Sequence, residues 1–550
     1  MAVDADSRSH RSIAPTWLRW LVIGCLVLGI GLRVWALDRP VVWHDEVLTA
    51  IESSGYSLDA IKAKDFTGQL VSPATLTAYL QPTGQPWSAT LTSVMSTPEH
   101  PPLYYLLTRL WLDGWGGGPI ALRSLAVLFG VLLIPAVAWL AWELSQSALV
   151  VWWAIALVSL SPFHVLYARE AREYSLWAVL VAAAGAALLR ALRLHDRAHT
   201  WGDRLRAWWP YGLTLALGFY TSFLMAYVAI GHGLYGLLLD RGRLGGRTWA
   251  IGLSGLAATA AFGPWLAVLI TGWERAKNLT IWMTQFHEPR DRVIRRFAEQ
   301  LARGLGELVP DPPPSWTVTT IALAAISLGS LGWLAWRQPL RVWGFGLTLA
   351  IVPVSFLAVP DLLDGALRSI ATRYWTPTLL AVSLALAIGL AAGGSDRRRW
   401  RRLIVTAGAI GLLTVGGTAS LRLSQSLNPS MTKGISASLP AMAVIANQAD
   451  RPVILTDGML YHTANAIALA LRLKPAAQLY LIPDFDRLTP TDLATLQARL
   501  TDPNQPMPTI YALNLSPRAR QQLETQLQWA IEGVMGDGMA WLDRISPGRS

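Results

Sequence analysis

Apolar residues in this chain fall in long unbroken runs rather than at the spacing of a one-sided helix or a half-buried strand. Runs at about 17–37, 121–142, 148–166, 174–192, 208–220, 221–239, 248–271, 316–336, 341–359, 375–393 and 403–423 predict eleven membrane-spanning helices, because a helix that is apolar all round needs lipid or protein on every side. The stretch 103–115 is apolar but has 13 residues, where a full crossing takes roughly 20. It is read as a helix lying along the surface. The runs 208–220 and 221–239 meet at Phe219-Tyr220-Thr221-Ser222 with no polar loop, so a re-entrant pair is the alternative to two full spans.

After Leu423 the pattern changes. Short β-like stretches, Val453 to Thr456, Leu479 to Ile482 and Thr509 to Leu513, are separated by helix-like segments at 462–473, 490–500 and 517–532. Strand alternating with helix predicts a small α/β domain over 430–550, following a membrane part over 1–429 whose first loop is 38–120.

Arginine placement orients these spans. With 103–115 kept on the surface, the clusters Arg190/Arg193/Arg197/Arg204/Arg206, Arg241/Arg243/Arg247, Arg337/Arg341 and Arg397/Arg398/Arg399/Arg401/Arg402 all fall on the amino-terminal, cytoplasmic side. The loop 38–120, the turn near 167–173 and the 430–550 domain then lie outside, and the chain sits in the cell membrane as a multi-pass protein. Composition agrees: 53% of residues are hydrophobic, 15% are charged and mean hydropathy is +0.36. The net charge of +11 is carried by these short loops, which excludes nucleic acid as a partner. The single cysteine, Cys25, lies within the first span and excludes an intramolecular disulfide or a cysteine-based zinc site. Arg8 and Arg11 precede that span, Arg19 stands at its start, and Val34-Trp35-Ala36 is a poor cleavage site, so the first span reads as an uncleaved signal anchor.

The outer side gathers the candidate chemistry. Asp45 and Glu46 follow the first span, then come Glu99-His100-Pro101-Pro102, Arg123, Glu170 with Arg172, and Arg373-Tyr374. Adjacent carboxylates at a membrane boundary mark a site unless they only cap a helix. A carboxylate can take a proton from a hydroxyl nucleophile, and Arg or protonated His can hold a departing phosphate. The bland readings are a solvated helix cap for Asp45-Glu46, a pre-proline extended residue for His100, an interfacial anchor for Arg123 and a local charge partner for Arg169. Trp43 stands next to the acids and offers an aromatic face for stacking.

The segments Trp43-His44-Asp45-Glu46, Glu99-His100-Pro101-Pro102-Leu103-Tyr104-Tyr105, Leu122-Arg123-Ser124, Ser161-Pro162-Phe163-His164 with Arg169 to Leu176, and Arg373-Tyr374 resemble, in order and placement, glycosyltransferase family 39. That family includes protein O-mannosyltransferases and is similar to the aminoarabinose transferases. The resemblance spans about 15–395 and implies a C-type glycosyltransferase fold. It also implies a polyprenyl-phosphate-linked sugar as donor and transfer, with inversion, to an acceptor hydroxyl of a protein, lipid or glycan. Asp45 takes the general-base position, with Glu46 its motif partner and Glu170 the second acidic position. His100, Arg123, Arg172 and Arg373 are the expected seat of the lipid phosphate. Glu99 and His100 are the expected pair for a divalent metal, the one cofactor implied, and Tyr220-Thr221-Ser222 departs from the family pattern by lacking a histidine. The competing expectations are a polymerase or ligase with a diphosphate-linked donor, a transporter, and a non-catalytic lipid-binding scaffold.

Overall fold

The computed structural model describes residues 14–197, 199–306, 318–428, 433–501, 507–536 and 540–547. Arg8, Arg11, the boundary at 429/430 and the first residues of the expected 316–336 span lie outside them. Seven helices are long and apolar enough to cross a membrane: Thr16–Val34, Pro119–Ser145, Tyr174–His195, Val318–Arg337, Leu340–Asp364, Thr372–Gly394 and Arg399–Gln425. An eighth is formed if Gly246–Ala261 and Gly263–Thr271, bent by 60°, count as one span. The other expected spans are also helices, but Ala148–Leu160 and Met225–Leu239 are short and Trp201–Phe219 begins with a polar turn. Leu103–Trp115 is a 13-residue helix, too short to cross. Its first N–H, on Leu103, donates to Tyr220 O at 2.9 Å, which puts the turn after Trp201–Phe219 at the level of the long first loop.

The expected 148–166 span is broken at Ser161-Pro162. Ser161 takes an extended ψ of 119°, as a residue before proline does, and a second short helix, Pro162–Tyr167, starts there. The break leaves carbonyls of the first helix without intrahelical donors. Arg33, from Thr16–Val34, donates from Nη1 to Ser159 O at 2.7 Å and to its own Gly29 O at 2.9 Å, and from Nη2 to Val158 O at 3.1 Å. Gly29 allows this approach, since a Cβ there would lie 2.3 Å from Ser159 O. Arg169 does the same for the end of Thr16–Val34, donating to Leu32 O and Trp35 O, both at 2.6 Å. The expected structural part for Arg169 is therefore that of a helix cap rather than a partner of Glu170 or Glu173.

Basic loops and acidic motifs occupy opposite ends of the bundle. Pro119–Ser145 carries Arg123 near one end and Glu143, paired with Arg193 at 2.8 Å, near the other. Tyr174–His195, the span most covered by its neighbours, runs from the motif end to the basic end. There Arg247 meets Asp196 at 2.9 Å and Tyr235 donates to Arg341 O at 2.8 Å.

The C-terminal part is the expected α/β unit, with one strand from elsewhere. Its six-stranded sheet has the order β1-β3-β2-β4-β6-β5, where β1 is Gln69–Val71, β2 Pro452–Asp457, β3 Gln478–Ile482, β4 Thr509–Leu513, β5 Ala530–Gly536 and β6 Trp541–Ser546. The pairs β2–β3 and β2–β4 are parallel, and β1 adds antiparallel to β3 with Leu70 opposite Tyr480. The expected helix at 517–532 ends at Gln526, because Gln528 turns left-handed (φ 55°) and Ile531 then pairs with Ile545. Val47, Ile51, Ile61, Leu76 and Tyr79 of the first loop share one apolar core with Leu439, Met442, Ile467 and Leu469. The first loop and the C-terminal part thus fold together, which a division at 429/430 does not convey.

That shared core gives a prediction. Deleting the chain from Lys433 onward strips β1 of its sheet and bares the loop's apolar side. Limited proteolysis in detergent should then cut within 58–80 in the truncated protein while the full chain resists. Equal resistance in both would show that the loop folds without the C-terminal part.

Candidate active site

The site is assembled at the start of the helix His44–Ser53. Trp43 precedes it with extended backbone (φ −91°, ψ 166°), and Glu46 at its third position turns back to accept from the Trp43 N–H at 3.4 Å, a capping interaction. Glu46 does more than cap. Its carboxylate meets Arg123 with Nε–Oε1 2.8 Å and Nη2–Oε2 2.6 Å, and Oε1 also accepts the Ala171 N–H at 2.8 Å. The remaining Arg123 donors go to Leu37 O, Pro40 O and Val41 O at 2.6, 3.2 and 2.9 Å. Both side chains are 1% exposed. Burial alone would raise the Glu46 carboxyl, but Arg123 outweighs it and holds it below the ordinary range.

Asp45 has a different setting. It points away from the pair, with its Oδ1 3.3 Å from His44 Nε2. Burial would again raise it, yet the guanidiniums of Arg172 and Arg373 outweigh burial and hold it below the ordinary carboxylate range, so it is ionised throughout the physiological range. Arg172 is itself fixed by Thr49 Oγ1 at 2.9 Å, Tyr105 OH at 3.2 Å and Glu173 at 3.2 Å. Arg373 has no carboxylate within ion-pair reach among the described residues. Its guanidinium lies 5.2 Å from the rings of Tyr174 and Tyr374 and 5.9 Å from that of Trp43, and its buried Nε has no hydrogen-bond partner.

Glu170 forms a buried ion pair with Lys433 at 2.9 Å, and burial, opposed by Lys433, raises its pKa. Lys433, from the C-terminal part, also lies 5.7 Å from the Trp43 ring. Ser436 and Tyr461 approach from the same side: Ser436 Oγ accepts the His44 N–H at 3.2 Å, and the Tyr461 ring meets that of His44 at 5.0 Å. These residues lie outside the family resemblance, and no local motif in the sequence marks them.

His100 and Glu99 stand together, with Nε2–Oε1 3.8 Å. Enclosure, with Arg172, lowers the His100 pKa and keeps the ring neutral, while burial raises Glu99 to about 7. Glu99 Oε2 is buried without a partner, which suits a ligand. However, no group of three or more His, Cys, Asp or Glu side chains is placed to hold a metal among the described residues. The pair falls short of the three protein ligands of an ordinary catalytic metal site.

Glu52 escapes a reading by motif. It sits seven residues after Asp45, two turns along the same helix face. It is 5% exposed with Oε2 unpartnered, and burial first, then Glu99 and Asp45, push it up to about 8 against the opposing Arg172. The i, i+7 spacing of two acids was the available signal.

No protein-family model and no curated protein sequence matches the chain. Solved structures do match. ArnT from Cupriavidus metallidurans in the apo state has a TM-score of 0.54 at 13% identity, covering 96% of this chain and 97% of that one. The same protein bound to undecaprenyl phosphate gives 0.52 at 13% identity, covering 97% and 98%. The Archaeoglobus fulgidus oligosaccharyltransferase in the apo form gives 0.49 at 11% identity, covering 90% and 69%. Matching of the two ArnT structures over nearly the whole of both chains shows the fold. It is the C-type glycosyltransferase fold, as the resemblance implies, in a multi-pass membrane protein.

Two predictions follow from the charges. Glu46→Gln or Arg123→Ala leaves a buried group unpaired and should lower unfolding stability by about 3–5 kcal/mol in a denaturation assay. A loss under about 1 kcal/mol would mean the pair is not buried as described. Glu52 gives the opposite pH trend. A carboxyl with its pKa raised on folding contributes stability that is complete below its ordinary 4.5 and is lost as pH rises through about 8. Glu52→Gln should therefore melt higher than wild type near about pH 9 and alike near about pH 4. Parallel melting curves across that range would contradict the assignment.

Proposed function

We propose that this protein is an extracytoplasmic-facing membrane glycosyltransferase that moves one sugar from a polyprenyl-phosphate carrier to an acceptor hydroxyl, with inversion. The observation that carries the reading is the proximity of an ionised carboxylate, Asp45, to a buried guanidinium, Arg373, that rests against aromatic rings with no carboxylate in ion-pair reach among the described residues. A cation left without an internal anion in a buried site is suited to an anion that arrives with the substrate, and guanidinium matches a phosphate in planar, bidentate fashion. A protein of the same fold, ArnT, was solved bound to undecaprenyl phosphate.

Each expected residue then takes a distinct part. Arg373, with His100 nearby, seats the lipid phosphate. Arg172 holds Asp45 and Tyr105 in place and supplies field rather than a free fork, since Thr49, Tyr105 and Glu173 use its donors. Arg123 and Glu46 are assigned to positioning, because every donor of Arg123 is spent on protein oxygens. Glu170 anchors the C-terminal part through Lys433. Trp43 and Tyr174 flank the sugar.

The acceptor oxygen attacks the anomeric carbon from the face opposite the phosphate, and inversion follows from that single displacement. Asp45 is a weak base at rest. The attacking hydroxyl becomes strongly acidic only as its oxygen bonds to carbon, so the proton reaches Asp45 late in the displacement. The phosphate departs as a stable anion against Arg373 and needs no general acid.

The reading is tested with a radiolabelled polyprenyl-phosphate sugar and the full chain in proteoliposomes. Asp45→Asn should bind the donor normally but slow transfer by about 10²–10⁴-fold, the range for losing a positioned base, whereas Arg373→Ala should weaken binding of polyprenyl phosphate itself. Wild-type turnover in Asp45→Asn, or solute movement without donor consumption, would overturn it.

A further inference from the structure

The bias that gathers arginine in short loops accounts for the clusters at the basic end of the bundle. It does not account for Arg290, Arg292, Arg295, Arg296 and Arg303, five arginines of one 14-residue helix, Arg290–Arg303, at the motif end. Two backbone bonds fix that helix at the level where a span stops. Leu340–Asp364 ends at Gly365, whose carbonyl accepts the Glu288 N–H at 2.8 Å, and the Leu367 N–H donates to Met283 O at 3.1 Å. Gly365 is left-handed (φ 79°), and a Cβ there would lie 2.6 Å from Glu288 O, so glycine is what permits the approach. Arg290 follows Glu288 by two residues, which puts the first turn of its helix at the boundary of the spanning region.

The two halves of this helix are used differently. Further along, Leu301 is buried, the Phe297 ring meets that of Trp375 at 5.6 Å, Gln300 donates to Ile370 O at 2.7 Å, and Arg303 donates to Thr372 Oγ1 at 2.9 Å, next to Arg373. Arg296 is held by Glu288, with Nη2–Oε1 2.8 Å. In the first turn, Arg290 and Arg292 are exposed and have no carboxylate within ion-pair reach among the described residues. Asp291 between them complements the helix N-terminus. Their neighbours along the chain are apolar and bare: Phe286 is 59% exposed and Ile294 55%. Leu363, two residues before Gly365, is 73% exposed and continues a side of its span on which Ile351 and Val359 are also half or more exposed.

Charge and apolar surface thus meet at the end of a lipid-facing span. Phe286, Ile294 and Leu363 favour the acyl boundary, while a guanidinium on a flexible stem reaches the headgroup layer above it. There its planar fork matches phosphate oxygens. We propose that the surface made by Phe286, Arg290, Arg292 and Ile294 docks on anionic phospholipid headgroups and holds the helix Arg290–Arg303 against the membrane. A lipid is the partner that fits, because these apolar side chains continue the exposed side of Leu340–Asp364 and a soluble acidic partner would leave that side in water. The same helix ends on Thr372, so the docked surface braces the border of Arg373. The proposal stands whether or not the protein transfers a sugar.

The experiment replaces Phe286 of the full chain by a benzophenone-bearing phenylalanine, in nanodiscs of equal phosphatidylglycerol and phosphatidylcholine, and weighs the lipid adducts formed on irradiation. In the otherwise wild-type protein, phosphatidylglycerol adducts should outnumber phosphatidylcholine adducts about tenfold, the scale of two arginines near an anionic surface. Arg290→Gln with Arg292→Gln, checked for an unchanged melting curve, should bring the two lipids to parity. Arg397→Gln with Arg399→Gln, exposed arginines at the basic end, should leave the enrichment in place. Equal labelling of the two lipids in the parent protein would overturn the proposal. So would the absence of any lipid adduct, the result for a surface that faces water or an acidic protein, and so would full enrichment in the Arg290→Gln, Arg292→Gln variant. The parent arm decides by itself should that variant fail to fold.

Discussion

The Glu46–Arg123 pair is the constraint on which the motif end of the molecule depends. Two charges that are 1% exposed are stable only if each is fully paired, and here the pair collects the backbone of Leu37 to Val41, the start of the His44–Ser53 helix, the head of Pro119–Ser145 and the turn at Ala171. Three stretches far apart in sequence, 37–46, the head of Pro119–Ser145 and the turn at Ala171, are thereby held around one ion pair. Because Glu46 faces inward at its helix position, Asp45, one residue earlier and about 100° around the helix, is directed toward His44, Arg172 and Arg373 instead. The adjacent acids differ in their partners because helix geometry sends them to different surroundings.

Arginines at this end divide by how their donors are used. Arg33, Arg169 and Arg123 donate chiefly to backbone carbonyls at helix breaks and ends, where a lipid environment offers no water to do so. Arg172 is bound by side chains that also line the site. Arg373 alone among these five rests against aromatic faces without an anion. Charge type does not separate a cap from a ligand seat; donor satisfaction does.

Much of the fold was legible because apolar runs and the change of pattern after Leu423 report directly on burial. The helices Pro119–Ser145 and Tyr174–His195 match their predicted runs closely. What sequence could not carry was long-range. Gln69–Val71 is three residues with no alternation to mark it, and it becomes a strand only because the β3 edge is there to receive it. Lys433, Ser436 and Tyr461 come from a segment whose composition speaks of a separate domain. Candidate residues were legible as types gathered at one end of the molecule, while the different settings of Arg123 and Arg373, and of Asp45 and Glu46, required their partners to be seen.

The central claim is that Asp45 and Arg373 face the two ends of one scissile sugar–phosphate bond. It is tested most directly by a structure of the Asp45→Asn protein with a non-hydrolysable polyprenyl-phosphonate sugar analogue. The account predicts the phosphonate against Arg373 between Trp43, Tyr174 and Tyr374, and the anomeric carbon turned toward residue 45. A phosphonate seated on Lys433 or elsewhere, with residue 45 remote from the sugar, would contradict it.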